Sequence, residues 1–414
     1  MVLIRRNIFE VAEETIDAFP AVVIQGARQV GKSTLAGQLA SGRNGWNLTL
    51  DDEQTLAAAR EDPIGFVNQR SAGILVIDEI QRYPELTLAI KASIDRDRRN
   101  GRFLLTGSSD LLRSRRATDS LAGRAATVWL RTLSRGEFAG KKEDFIRRFR
   151  EGIPYRDVTS QVSRADYARM IVVGGYPDVR DLEPRMRNVW FDSYLERLIR
   201  RDARELINTD PSRLMSLLRL MAANQAGELV KARLAQDAGL PATSITAYLD
   251  TLETLFLTDL LKPWKTNLTG RETSRPKASI ADSGLAARLS RVTTAQLTPL
   301  DGTATHFGAL MEGFVADELL KQSGWSEEEF ELFHYRNRDG LEVDVIVEFA
   351  DGQVLGIEVK SGSTFRSDHF RPLKTLRDLL GDRFAGGVVL NTGATGYQFG
   401  DRLFGLPVSS LWEL

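Results

Sequence analysis

The sequence contains no cysteine, and only three histidines among its 414 residues. Without cysteine, the chain cannot form disulfides, thiolate metal sites, iron–sulfur clusters or a cysteine nucleophile. The histidines, His306, His334 and His369, all lie in the last third of the chain. A histidine zinc site or a Ser-His-Asp triad would therefore require an unusual convergence. We expect the chemistry to come from carboxylates, lysines, arginines, hydroxyls and backbone groups.

An excess of charge of one sign and long apolar runs are also missing. Lys and Arg number 55 against 56 Asp and Glu, which gives a formal net charge of −1. No whole-molecule field would therefore draw the protein to nucleic acid or to an anionic membrane, and such a contact needs a local patch. The start of the sequence has no signal-peptide apolar region, and no run of about 18 apolar residues occurs. We expect a cytoplasmic protein of two or three domains without a membrane partner.

A phosphate-binding loop is predicted near the start of the chain. Ala21-Val-Val-Ile-Gln has the composition of a buried strand, and Gly26-Ala-Arg-Gln-Val-Gly31-Lys32-Ser33 follows it, ahead of a predicted helix. This pattern predicts a loop whose backbone N–H groups face phosphate, with Lys32 at the β- and γ-phosphates and Ser33 on Mg²⁺. A chance glycine loop is the alternative interpretation. The predicted nucleotide-binding residues here are Gly26, Ala27, Arg28, Gln29, Val30, Gly31, Lys32, Ser33 and Thr34.

Two further apolar runs end in polar residues that suit the same site. Gly73-Ile-Leu-Val-Ile runs into Asp78 and Glu79, so Asp78 is expected at the Mg²⁺ shell and Glu79 as the base that polarises the attacking water. Gly101-Arg-Phe-Leu-Leu runs into Thr106-Gly-Ser108-Ser109, whose hydroxyls are candidates for sensing the γ-phosphate. Gly-Ser-Ser is also ordinary turn composition.

These motifs, with Leu121-Ala-Gly-Arg124, Leu133-Ser-Arg-Gly-Glu137-Phe138 and Gly174-Gly-Tyr-Pro177, resemble a prokaryotic family of AAA+ ATP-binding proteins related to the archaeal ATPases of the STAND group. The resemblance covers nearly the whole chain and implies a C-terminal nuclease-like domain. It implies ATP and Mg²⁺ binding, with Ser108 or Ser109 as the sensor. Arg124 is a candidate for touching the γ-phosphate, in cis or from a neighbouring copy in a homo-oligomer, and a structural arginine is the alternative.

The middle of the chain is predicted to be largely helical. The apolar spacing indicates one amphipathic helix over residues 187–206, and the stretch 211–264 resembles a winged helix. Its third helix lacks Lys and Arg, so we favour a packing role between domains over DNA reading. The following segment is the better basic patch for DNA. Its residues are Lys262, Trp264, Lys265, Arg271, Arg275 and Lys277.

A second candidate site lies towards the end of the chain. Leu341 to Phe349 alternates as a strand that puts Val343 and Ile346 on opposite faces, and a turn and a second strand bring Glu358 and Lys360 to one face. Asp344, Glu358 and Lys360 resemble the PD-(D/E)xK restriction-endonuclease motif without its proline, and Glu312 matches the helical acid. The resemblance implies Mg²⁺ or Mn²⁺ held by Asp344, Glu358 and Glu312, and Lys360 orienting or deprotonating the nucleophile. A nuclease-like fold kept for structure, with an ordinary Glu358–Lys360 ion pair, is the alternative.

The sequence thus predicts a multidomain α/β protein. Residues 1–140 form a P-loop parallel-sheet ATPase domain, 141–208 a helical connector, 209–275 a winged-helix-like domain and 276–414 a restriction-endonuclease-like α/β domain. The expected function is an ATPase whose nucleotide state regulates a metal-dependent nuclease acting on DNA. Two rivals stay open: an ATP-driven switch or scaffold for a protein partner with an inactive nuclease-like domain, and a small-molecule kinase.

Overall fold

The computed structural model describes residues 3–70, 72–108, 121–153, 155–203, 210–265, 271, 274–299, 305–337 and 340–414. The chain divides into two compact units. The first comprises Met1–Leu133 with Thr254–Phe256, and the second comprises Ser134–Glu253 with Leu257–Leu414. Within the described ranges, no helix is both long and apolar enough to cross a membrane.

Five parallel strands form the sheet of the first unit, in the order β2-β3-β4-β1-β5. The strands are β1 Ala21–Gln25, β2 Trp46–Thr49, β3 Leu75–Asp78, β4 Phe103–Gly107 and β5 Ala125–Trp129. The helices are Phe9–Ala18, Lys32–Ser41, Glu53–Glu61, Pro63–Val67 and Leu86–Arg96. This sheet confirms the predicted P-loop NTPase fold of the N-terminal part.

The central strands β1 and β4 are buried along their whole length, as expected of parallel strands covered on both faces. One face carries a core built around Val23, Ile77, Ile90 and Leu105. Because parallel strands end at the same edge of a sheet, the residues that follow β1, β3 and β4 come close together. This edge is where ligands bind in open α/β sheets.

A nine-stranded mixed sheet dominates the second unit, in the order β13-β14-β12-β11-β10-β9-β7-β8-β6. The strands are β6 Gly227–Glu228, β7 Thr258–Pro263, β8 Lys277–Ile280, β9 Phe330–Arg336, β10 Glu342–Phe349, β11 Val354–Val359, β12 Phe384–Asn391, β13 Tyr397–Gly400 and β14 Leu403–Pro407. The helices are Arg135–Ala139, Phe145–Glu151, Arg164–Val173, Pro184–Arg197, Pro211–Ala223, Lys231–Asp237, Ile245–Thr254, Ser283–Leu289, Thr294–Leu297, Thr305–Gln322, Arg371–Leu380 and Ser410–Glu413.

The predicted alternation along β10 is wrong at one point. The pairing of β10 with β9 shifts register between Val343 and Ile346, which marks a bulge. Both side chains consequently pack into the same apolar cluster, with Leu373 and Leu376 of helix Arg371–Leu380. An extra residue in one strand reverses the face on which the next side chains lie.

Two predicted boundaries also differ from the observed elements. The helix expected over residues 187–206 is described up to residue 203, as helix Pro184–Arg197 followed by a π-helical turn over Leu198–Asp202, and residues 204–206 lie outside the described residues. The domain boundary predicted between residues 275 and 276 separates strand β7 from strand β8. These two strands are antiparallel partners, from Thr258↔Ile280 to Leu261↔Lys277. Residues 277–280 are therefore joined to the segment that precedes them, and the four-domain division stays a prediction.

Candidate functional sites

The P-loop joins β1 to helix Lys32–Ser41, as the sequence predicts. Gly31 has φ +98°, a left-handed conformation that glycine adopts without strain. A Cβ at Gly26 would lie 2.0 Å from the carbonyl oxygen of Leu130, so only glycine fits there. Ala27 and Val30 are buried, while Ser33 and Thr34 are exposed on the first helical turn. This helix start provides backbone N–H groups and a positive dipole end for an anion.

Lys32 is folded against its own loop. Its Nζ donates to the carbonyl oxygens of Gly26, at 3.0 Å, and Ala27, at 2.7 Å. Burial lowers the pKa of Lys32 to about 8, although the negative charges of Glu79 and Asp78 oppose this shift. The ammonium is therefore held inside the loop at neutral pH, where it can move to a phosphate group without leaving the site.

The carboxylates predicted after β3 lie beside the P-loop. Ser33 Oγ is 3.0 Å from both carboxylate oxygens of Asp78, and the hydroxyl of Thr106 also donates to Asp78. A serine hydroxyl and a carboxylate side by side are the hard oxygen donors that Mg²⁺ prefers. The residues present thus fit a magnesium ion between Ser33 and Asp78.

Glu79 adopts a left-handed backbone conformation, with φ +57°, which is uncommon for a residue other than glycine. Its Oε2 accepts hydrogen bonds from Ser108 Oγ at 3.0 Å and from Gln81 Nε2. Gln81 Nε2 also donates to Ser108 Oγ at 2.9 Å. The structure therefore brings Ser108 to Glu79 and adds Gln81, to which the sequence pattern assigns no role. The alternative sensor, Ser109, lies outside the described residues.

Arg124 lies at the opposite edge of this sheet. Its neighbour Ala125 begins β5 and pairs with Ala21, the first residue of β1, whereas the P-loop follows the last residue of β1. A five-residue strand spans roughly 13 Å. The guanidinium forms two hydrogen bonds with Asp95, at 2.7 and 3.1 Å. The predicted contact with γ-phosphate in cis is therefore wrong, and the structural alternative accounts for Arg124, while a role across an interface stays a prediction.

The second predicted cluster is also assembled, within the second unit. Asp344 on β10 accepts a hydrogen bond from the backbone N–H of Val359 at 2.8 Å. Lys360 Nζ lies 2.5 Å from Glu358 Oε2 and 3.9 Å from Asp344 Oδ2. Burial, and then the negative charge of Asp344, raise the pKa of Glu358 to about 8. The three residues of the proposed nuclease-like motif thus lie together at one end of the β10–β11 hairpin.

Glu312 enters this cluster through an unpredicted partner. Lys277 Nζ lies 2.6 Å from Glu312 Oε1, 2.6 Å from Glu342 Oε1 and 3.8 Å from Asp344 Oδ1. Burial opposes the charge on Lys277, but Glu312 and then Asp344 raise its pKa above the usual range. The sequence pattern predicts Lys277 in an open basic patch, because the carboxylate partners of Lys277 are distant in sequence.

The cluster fits a metal ion only in part. Glu358 Oε1 is buried without a hydrogen-bond partner among the described residues, and such an oxygen suits a cation beside Asp344. Both acids are bound by a lysine, but Glu312 is bound by the buried Lys277, whereas Lys360 beside Glu358 is partly exposed and can turn towards solvent. Across the described ranges, no group of three or more His, Asp or Glu side chains is arranged to hold a metal ion. Asp344 and Glu358 therefore remain candidate ligands, and the predicted ligand role of Glu312 does not fit this arrangement.

The basic patch is smaller than the sequence predicts. Trp264 is buried, and the guanidinium of Arg271 pairs with both carboxylate oxygens of Glu348. With Lys277 also buried, the exposed members are Lys262, Lys265 and Arg275. These three remain candidates for contact with a nucleic-acid backbone.

Comparisons with known proteins divide the chain into three matched regions. Residues 18–139 match a family model described as an AAA domain. Residues 164–296 and 307–411 match two models each described as a domain of unknown function (DUF8612 and DUF4143). The nuclease-like interpretation of the C-terminal region is therefore a proposal.

The chain is 29% identical over 367 residues to uncharacterized protein Mb2031c of Mycobacterium bovis and, at the same identity and length, to uncharacterized protein Rv2008c of Mycobacterium tuberculosis. Each alignment covers 88% of this chain and 75% of the relative. Among solved structures, the Walker-type ATPase PABY2304 of Pyrococcus abyssi has a TM-score of 0.43 and 17% identity, covering 70% of this chain and 96% of that one. The AAA family match and the parallel sheet together identify an AAA-type ATPase fold in the N-terminal part of this chain.

Proposed function

We propose that the chain binds and hydrolyses Mg²⁺–ATP at the carboxyl edge of the N-terminal sheet, and that its nucleotide state regulates the C-terminal region. The observation that carries the ATPase proposal is the grouping of Lys32, the Ser33–Asp78 pair and Glu79 along one sheet edge. Each of these groups suits one part of phosphoryl transfer to water.

Lys32 would leave the carbonyls of its own loop for the β- and γ-phosphates, where backbone N–H groups also donate. Ser33 and Asp78 would hold Mg²⁺, which neutralises phosphate charge when bound. Glu79 would accept a proton from water as the water oxygen bonds to the γ-phosphorus and the bond to the ADP oxygen breaks. Ser108 and Gln81 would orient the Glu79 carboxylate for this transfer.

The test is a comparison of Lys32→Ala and Glu79→Gln in nucleotide binding and in steady-state ATP hydrolysis. We expect Lys32→Ala to lose both, and Glu79→Gln to bind ATP while its turnover falls about 100-fold or more. Products of ADP and phosphate alone would also exclude the small-molecule kinase. Hydrolysis that survives in both variants would contradict the proposal.

A second candidate function is metal-dependent DNA cleavage in the C-terminal region. It is favoured by the convergence of Asp344, Glu358 and Lys360 and by the unpartnered Oε1 of Glu358. Asp344 and Glu358 would hold a divalent ion, whose chemistry is to lower the pKa of a bound water and stabilise charge at phosphorus. Lys360 would orient the nucleophile, and Lys262, Lys265 and Arg275 would contact the backbone of the DNA.

The rival is an ATP-driven switch that binds a protein partner without cutting DNA. Labelled single-stranded, duplex and branched DNA would be incubated with the full chain in Mg²⁺ or Mn²⁺, with and without ATP. Cleavage lost in Asp344→Ala would support the nuclease, and its response to Lys32→Ala would report control by ATP. Intact DNA under all conditions, with ATP turnover retained, would favour the switch.

A further inference from the structure

Lys277 lies where three carboxylates of the C-terminal cluster meet. It is 4% exposed on β8, and its neighbours Glu228 and Leu261 pair with it across β6 and β7. The Nζ atom of Lys277 lies 2.6 Å from a carboxylate oxygen of Glu312 and of Glu342, and 3.8 Å from one of Asp344. A buried ammonium surrounded by carboxylates supplies the positive charge that these oxygens need.

Asp344 stands between two ammonium groups. Lys277 Nζ is 3.8 Å from one of its oxygens, and Lys360 Nζ is 3.9 Å from the other. Each lysine also binds one of the remaining predicted acids, Lys277 with Glu312 and Lys360 with Glu358. The cluster therefore has two halves, each with its own ammonium, and the halves differ in burial. The Lys277 side chain is 5% exposed, whereas the Lys360 side chain is 31% exposed and its partner Glu358 keeps one oxygen without a hydrogen bond among the described residues.

Little room remains beside Lys277. A cavity of about 20 Å³ is lined by Lys277, Glu312 and Asp344 together with apolar side chains such as Leu261 and Ile280. A cavity needs a volume of roughly 10–15 Å³ to hold one water molecule. The space thus takes about one water molecule or one bare ion, and a divalent ion there would face the charge of the lysine at close range.

We propose that Lys277 is a built-in cation that occupies the position between Glu312, Glu342 and Asp344 and keeps a divalent metal from using Glu312 as a ligand. This inference deepens the second candidate function, on which it rests for the identity of the site. A metal held by Asp344 and Glu358 would thus be the single divalent ion of the cluster. Lys277 is a positioning residue, because it acts through the carboxylates that it binds.

The test is a count of bound Mn²⁺ by electron paramagnetic resonance on the nucleotide-free chain of 414 residues. The variant combines Lys277→Met with Glu342→Gln. The first substitution removes the ammonium, and the second removes the carboxylate that would otherwise lose its partner. Glu312, Asp344 and Glu358 stay in place. We expect this variant to bind one more Mn²⁺ than the unmodified chain. The affinity of the additional site should be about tenfold or more above the affinity of the unmodified chain for Mn²⁺ at Glu312. Adding Glu312→Gln should remove this gain.

Lys262→Met is the matched control, since it removes an exposed lysine from the neighbouring strand β7, and it should gain no Mn²⁺. Thermal unfolding establishes that the double variant is folded, and a folded double variant without additional Mn²⁺ would overturn the proposal. Glu312→Gln in the otherwise unmodified chain gives a second test that does not depend on that variant. The number of bound Mn²⁺ ions should stay the same, with an affinity changed less than about tenfold because only a neighbouring charge is lost, and loss of a bound Mn²⁺ would overturn the proposal.

Failure of the nuclease candidate would be seen separately, as the absence of Asp344-dependent DNA cleavage by the unmodified chain. That result would not alter the predicted Mn²⁺ gain, because the gain depends only on the charges around Glu312.

Discussion

The hydroxyl of Ser108 lies 3.0 Å from Oε2 of Glu79. The same carboxylate oxygen accepts a hydrogen bond from Gln81, which also donates to Ser108. These contacts orient Glu79, whose backbone is already held in the left-handed region. The proposed base is therefore positioned by two side chains that do not belong to the P-loop.

Replacing Ser108 with alanine should reduce ATP turnover more than ATP binding. The variant keeps Lys32, Ser33 and Asp78, so nucleotide affinity should change less than about threefold, while kcat falls about tenfold through the misplaced base. Steady-state kinetics and equilibrium binding of a fluorescent ATP analogue measure the two effects. Ser41→Ala, at the far end of helix Lys32–Ser41, is the control. Equal losses in both measurements would contradict an orienting role.

ATP binding should weaken as the pH rises through about 8. The pKa of Lys32 is lowered to about 8, so its charge is present below this pH and is lost above it. Each further pH unit should then reduce affinity by up to about tenfold, because binding must take up the missing proton. Binding titrations from pH 6.5 to 9.5 test this. Lys32→Arg stays charged throughout, and its affinity should lack this pH dependence; an identical profile would assign the effect to another group.

Two glycines give opposite predictions for the same substitution. Gly26→Ala would place a Cβ 2.0 Å from the carbonyl oxygen of Leu130, which is backbone and cannot turn aside. We expect loss of ATP binding and a free energy of unfolding lower by about 2 kcal/mol or more. Gly37→Ala meets no atom within 4 Å, and it should stabilise helix Lys32–Ser41 by about 0.5–1 kcal/mol. Urea unfolding of both variants measures the difference, and similar values would contradict the assigned clash.

Arg124 and Asp95 should contribute modestly to stability and not to catalysis in cis. Their side chains are 27% and 47% exposed, so solvent screens the pair and a double-mutant cycle should show only weak coupling between the two residues. Arg124→Ala should leave kcat of the isolated chain within about twofold. A loss of turnover in Arg124→Ala that Asp95→Ala does not reproduce would instead indicate a contact across an interface, and dependence on protein concentration would test it.

The N-terminal fold and its site follow from local sequence signals. A short apolar strand, the glycine loop and the helix after Lys32 are contiguous, and Asp78 and Ser108 end buried strands, so their meeting follows from parallel pairing. Arg124 also stands beside a strand, but at its beginning. The sequence alone does not say which edge such a residue will occupy until the strand bounds are known.

The C-terminal site was predictable only in part for a different reason. Asp344, Glu358 and Lys360 are brought together by one hairpin, and their spacing carries that information. Lys277 on β8 reaches Glu312 on helix Thr305–Gln322 across 35 residues, through a tertiary contact between elements that no local pattern connects. The bulge in β10 depends likewise on its partner strand, since nothing between Val343 and Ile346 marks an extra residue.

The parallel pairing of β7 with β9 joins Lys262 to Phe333 and Pro263 to His334, and the backbone N–H of Trp264 continues it to the carbonyl of His334. Chain segments on both sides of residue 276 thus share one hydrogen-bonded ladder. We expect them to melt in a single cooperative transition. In a fragment expressed from residue 276 onwards, β9 would lose its partner β7 and expose a strand edge, and such an edge promotes aggregation. Dissection of this protein by truncation therefore requires residues 134–414, which contain the second compact unit, to be kept together.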